Sequence, residues 1–106
     1  MITTIYLSTA LLLIGISIPM ARRRVRPNPW YGFRTPKTLS DETIWYDANE
    51  FSGRMLQRAG YAALIGVGML AFLPLSVGTK AMADAAVVLA SVAWATVVSY
   101  AYLRTL

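Results

Sequence analysis

Cysteine and histidine are both absent from this chain of 106 residues, and Asp and Glu together number only five. Those absences exclude thiol nucleophiles, disulfides, imidazole bases and the usual zinc and haem ligands. No catalytic residue, metal site or cofactor is expected, and the composition argues against an enzyme. Charge is scarce too: 14% of residues are charged and 57% are apolar, against about 25% charged in soluble domains. The apolar residues come in long runs, which points to lipid as the solvent. The net charge of +5 admits nucleic acid or anionic head groups as partners. In so apolar a chain the head groups are the better match, and no nucleic-acid partner is expected.

What is present divides into three apolar runs and one polar stretch. The first run, about 2–20, has no charged side chain and is long enough to cross a bilayer. Its basic residues follow it, as Arg22, Arg23, Arg24 and Arg26, whereas a signal peptide carries its basic residues first. It therefore reads as a retained anchor. The second run, about 59–77, holds Gly60, Gly66, Gly68 and Pro74; the third, about 81–103, carries Asp84 near its start. The short segment between them makes these two an antiparallel hairpin. The expected fold is an all-α membrane protein forming a single domain over 1–106. It has three transmembrane helices and a cytoplasmic amphipathic interfacial helix within the loop 21–58. Lys and Arg concentrate in that loop, so the positive-inside rule places it and the C-terminus in the cytoplasm and the N-terminus outside. The implied location is the cytoplasmic (inner) membrane of a bacterium.

The loop is the informative part. Pro27, Pro29, Pro36 and Gly32 exclude a regular helix through its first half. Trp30, Tyr31 and Phe33 suit the head-group level, where amphipathic rings are favoured. From Ser40, the expected N-cap, apolar residues recur at Ile44, Ala48, Phe51 and Met55, with Asp47, Glu50, Arg54 and Arg58 on the other side. That is the spacing of an amphipathic helix lying on the membrane, or against the bundle, before the second span. Glu50 and Arg54 are set four apart for an ion pair, and Gly53 is the expected bend before the second span.

The wording of this stretch carries a resemblance. Pro27-Asn28, Tyr31-Gly32-x-Arg34-Thr35, Thr38-Leu39, Trp45, Asn49 and Gly53 resemble the signature of the SdpI family of bacterial membrane proteins. That family is named for an immunity protein against a secreted toxic peptide and is also linked to membrane signalling. The resemblance implies a non-enzymatic membrane protein that binds a peptide or protein partner through its loop. The alternative is an accessory structural subunit of a larger membrane complex, or a homo-oligomer.

The candidate contacts with a partner or lipid are Asn28, Trp30, Tyr31, Arg34, Thr38, Trp45, Asn49 and Arg54. Arg34 reads either as a fork-shaped donor to a phosphate or carboxylate head group, or as a staple to loop carbonyls or to Asp41 or Glu42. Arg22, Arg23, Arg24 and Arg26 are candidates for contact with anionic lipid, and serve equally as topology determinants. Asp84 reads as a cap on the helix dipole with Lys80 nearby, or as an intramembrane ion site. Small residues in the hairpin, among them Ala62, Gly66, Ala90, Ser91, Ala95 and Ser99, allow close helix approach within the chain or against a neighbour.

Overall fold

The computed structural model describes residues 2–106, which contain helices and turns and no strand. In chain order the helices are α1 (Ile2–Ala21), α2 (Pro36–Ser40), α3 (Glu42–Leu70) and α4 (Val77–Leu103). α1 matches the first apolar run. It closes on Arg23, whose φ of 58° is left-handed, a conformation usually left to glycine at this position. The Arg23 guanidinium is held by Asp47 at 2.9 Å and Glu50 at 3.0 Å, and this tether offsets the backbone cost.

Two expectations change at α3. The amphipathic helix and the second span are one continuous helix, and it ends at Leu70 rather than running on to residue 77. Pro74 has no amide donor, and the residue before a proline is pushed away from helical geometry. The chain therefore turns from Ala71 to Leu75, and Ser76 caps the next helix by accepting from the Thr79 amide at 3.2 Å. Gly53 is no bend. It is buried against α1, where an added Cβ would come within 2.8 Å of Met20 Cβ and 2.9 Å of the Ser17 carbonyl oxygen. Its role is close helix approach.

The start of α3 also shifts. Asp41 is the N-cap, accepting from Thr43 and Ile44 amides at 2.7 and 3.3 Å, while Ser40 ends the short α2. α2 itself begins inside the stretch expected to be irregular. Pro36 suits a first helical position because its missing N–H would have no partner there, and Thr35 and Thr38 close a capping box around it.

α3 is the spine. α1 and α4 both pack against it antiparallel, giving a rod 50 Å long and 22 by 19 Å across. Three apolar clusters are stacked along it. Ala63 and Val67 meet Ala10 and Val88 at the end far from the loop. Met55 and Ala59 meet Ala95 in the middle, and Trp45 meets Met20 and Val25 at the loop end. Four of these side chains are alanines, and small residues let helix backbones approach closely. Two helices, α1 and α4, are long and apolar enough to cross a membrane, rather than the three expected. α3 does not qualify, because Arg54, Gln57 and Arg58 lie within its length and its apolar part stops at Leu70.

The glycines of α3 give a direct test. Gly53→Ala is expected to lower the unfolding midpoint in detergent, although alanine gains about 1 kcal/mol in helix propensity. Overpacking costs typically about 1–3 kcal/mol and outweighs it. Gly68→Ala, whose Cβ would meet nothing within 4 Å, should be neutral or stabilising. Thermal denaturation of the two variants side by side checks this.

Candidate functional site at the loop end of the bundle

The loop is held by buried side chains of α3. Trp45 is fully buried and its indole N–H donates to the Val25 carbonyl at 2.8 Å. One turn on, the Asn49 carboxamide accepts from the Phe33 amide at 2.7 Å and donates to the Phe33 carbonyl at 3.2 Å. It also donates to the Trp45 carbonyl at 3.0 Å. Asn49 thus pairs with one loop residue as a neighbouring strand would, and its buried amide is fully used. Gly32 makes room for this. Its φ is +110°, and a Cβ there would stand 2.6 Å from the Asn49 oxygen and 3.3 Å from the Trp45 ring.

Other motif residues brace the loop from within. Asn28 Oδ1 accepts from the Trp30 and Tyr31 amides at 2.8 and 2.7 Å, and its Nδ2 donates to the Arg26 and Tyr31 carbonyls at 2.7 and 3.1 Å. The Tyr31 hydroxyl donates to the Ile16 carbonyl of α1, and burial pushes its pKa above the ordinary tyrosine value. Thr38, within α2, is buried and accepts from the Thr35 amide at 2.8 Å. The loop also docks on α4. Phe33 meets Tyr100 edge-on with centroids 5.0 Å apart, and Lys37 Nζ donates to the Leu103 carbonyl at 2.9 Å.

The predicted site residues therefore part into two sets. Asn28, Tyr31, Thr38, Trp45 and Asn49 are turned into the loop and the bundle. Trp30 is 85% exposed, and Arg34 is exposed beside it, one Nη donating to the Pro29 carbonyl. That is the staple to a loop carbonyl, and no carboxylate pairs with Arg34 among the described residues. Arg54 makes the expected pair with Glu50 at 2.8 Å.

Among the four arginines after α1, Arg23 differs. It bridges Asp47 and Glu50 and lies over the Tyr46 ring, 5.5 Å from its centroid. Its hydrogen bond to Asp47, then that to Glu50, raises its pKa further above the ordinary arginine value. Arg22, Arg24 and Arg26 are exposed and make no ion pair among the described residues. Beneath Arg34 lies a groove of about 360 Å³, walled by Ile16 of α1, Ser52 and Leu56 of α3, and Ala95 and Thr96 of α4. Sequence reading missed this groove, since its walls come from three helices and look like ordinary span residues. It also missed Tyr46 and Lys37, for which spacing gives no signal.

Asp84 departs from the capping expectation. Ser76 caps α4, and Lys80 turns its Nζ to the Ala71 carbonyl at 3.4 Å. Asp84 is fully buried, and neither carboxylate oxygen has a hydrogen-bond partner among the described residues.

The bundle is all-helical among the described residues, and two of its helices are long and apolar enough to cross a membrane. The SdpI/YfhL protein family model matches residues 24–103, and the chain belongs to that family, which is not known as a family of enzymes. No curated protein and no solved structure matches the chain.

Two outcomes follow from this geometry. Asn49→Ala leaves the Phe33 amide unpartnered at a cost of about 1–3 kcal/mol. Tryptic cleavage after Arg34 and Lys37 should accelerate by about tenfold or more, as 1.4 kcal/mol is tenfold in an opening equilibrium. Asp84→Ala removes an orphaned buried polar group and is expected to raise stability by about 1–3 kcal/mol, read as a higher unfolding midpoint in detergent.

Proposed function

We propose that this protein acts without catalysis, in immunity to a peptide toxin or in membrane signalling, by binding a peptide or protein partner at the loop end. The observation that carries this reading is Trp30. A large aromatic side chain stands 85% exposed on a loop whose neighbours are all tied down, and it has Arg34 beside it. Exposed tryptophan and arginine on a rigid support are the residues that dominate binding surfaces. The inward-facing motif residues serve this surface by fixing its shape.

In this reading α3 crosses the membrane with α1 and α4, giving three spans in all. It packs antiparallel to both along its length, and a helix sandwiched between two spans shares their environment. The loop and C-terminus lie on the cytoplasmic side of a bacterial inner membrane, with Arg22, Arg24 and Arg26 against anionic head groups. Each such cation contributes about 1 kcal/mol.

A photo-crosslinking amino acid at position 30, in cells, tests the partner. Capture of a discrete peptide or protein is expected, and Arg34→Ala should abolish it while leaving insertion intact. Capture of lipid alone, or capture indifferent to Arg34, would count against the reading.

A second reading, an accessory subunit or homo-oligomer, is favoured by a different surface. A shallow apolar cleft of about 420 Å³ runs between α3 and α4, lined by Ala59, Ala62, Ala90 and Ser91 and flanked by Arg58 and Trp94. Small side chains of this kind admit another helix.

A further inference from the structure

The groove under Arg34 has a graded chemistry. At its mouth stands a guanidinium with several N–H donors still unused after its bond to Pro29, because arginine carries five. Two of the hydroxyls lining it are spent as donors, while Ser52 and Tyr100 also line it and make no side-chain hydrogen bond among the described residues. Thr96 Oγ1 donates to the Val92 carbonyl at 2.9 Å and Ser99 Oγ to the Ala95 carbonyl at 2.6 Å. Among the described residues Arg34 is the one charged side chain lining the groove, and it calls for a group that is anionic and rich in acceptors. No carboxylate of the chain pairs with Arg34 among the described residues: Asp41 caps α3, Asp47 and Glu50 are held by Arg23 and Arg54, and Glu42 forms no ion pair with it. Deeper in, the walls are apolar, formed by Ile16, Leu56 and Ala95. The groove opens between α1 and α4, the two helices of membrane-crossing length.

We propose that this groove holds one acidic glycerophospholipid, its phosphate on the Arg34 guanidinium and the upper part of an acyl chain between α1 and α4. A planar fork matches a phosphate with two parallel hydrogen bonds. The volume of about 360 Å³ lies at the small end of ligand sites, which run from about 300 to 1,000 Å³. It suits a head group and the start of one chain. Arg22, Arg24 and Arg26 add a field that concentrates acidic lipid around the site. The inference rests on the membrane placement above; it shares Arg34 with the partner surface, and the lipid and crosslinking readouts separate the two.

The full chain, purified in an uncharged detergent and exchanged into nanodiscs of phosphatidylcholine and phosphatidylglycerol, is released and weighed by native mass spectrometry. One phosphatidylglycerol retained per chain is expected. Arg34→Gln should reduce that retention by about tenfold or more, and Thr96→Trp, which fills the groove and leaves Arg34 in place, should do the same. Arg104→Gln should leave it unchanged. Circular dichroism confirms that each variant is helical. The proposal is overturned if wild type retains no phosphatidylglycerol or retains phosphatidylcholine equally well. It is overturned too if the Arg34 and Thr96 variants bind like wild type, or if Arg104→Gln loses lipid as fully as Arg34→Gln. A co-purifying peptide in place of lipid would assign the groove to the partner instead. Loss of crosslinking at position 30 with lipid retention intact would fail the proposed function and leave this site standing.

Discussion

The grip of α3 on the loop is the constraint on which the other features of this protein depend. It is made by two side chains one turn apart. Trp45 fills the space between the end of α1 and the loop and fastens it through the Val25 carbonyl. Asn49 then pairs with both backbone groups of Phe33. A loop with three prolines before α2's second residue cannot satisfy its backbone by forming a helix or a ladder. Its polar groups need partners from elsewhere, and buried side chains of α3 supply them. Gly32 is required by the same contact, since any side chain there would collide with Asn49 and Trp45. Once the loop is fixed, Trp30 and Arg34 have no choice but to face outward, and Phe33 and Lys37 bring the end of α4 into the assembly.

A long α3 makes that grip possible. The lower part of the helix carries the loop and the ion pairs of Asp47 and Glu50; the upper part carries α1 and α4 through small residues. Because the two parts are one rigid helix, the packing of the bundle sets the orientation of the loop directly. Gly53 sits at the junction, where α1 comes closest. The buried Asp84 stands at the other end of the rod, a local cost in stability with no compensating bond among the described residues.

Much of this was legible in the sequence, and the failures have physical causes. α1 and α4 are apolar without interruption, so length and composition locate them. The Glu50–Arg54 pair followed from helical spacing. The family resemblance, read from the loop motif, agrees with the family model over 24–103. The second span was misjudged because its apolar run continues through Ala71–Leu75, where hydropathy is high but Pro74 has already ended the helix. Gly53 was read as a bend because glycine weakens a helix in isolation; only the proximity of Met20 and Ser17 reveals its use. Motif residues such as Asn28 and Asn49 were grouped with Trp30 as contacts for a partner or lipid. A polar side chain that completes a loop and one that meets a ligand look alike until the hydrogen bonds are traced. The groove was invisible because it belongs to no single segment.

The central claim is that the proline- and aromatic-rich loop is an ordered part of the bundle, clamped by Trp45 and Asn49. Amide hydrogen exchange of the protein in a bilayer, resolved over residues 28–40, tests it most directly. The clamp predicts slow exchange at Tyr31, Phe33, Thr35 and Thr38, whose amides are bonded to side chains, comparable to the first turns of α3. Exchange across the whole segment at the rate of an unstructured linker would contradict it.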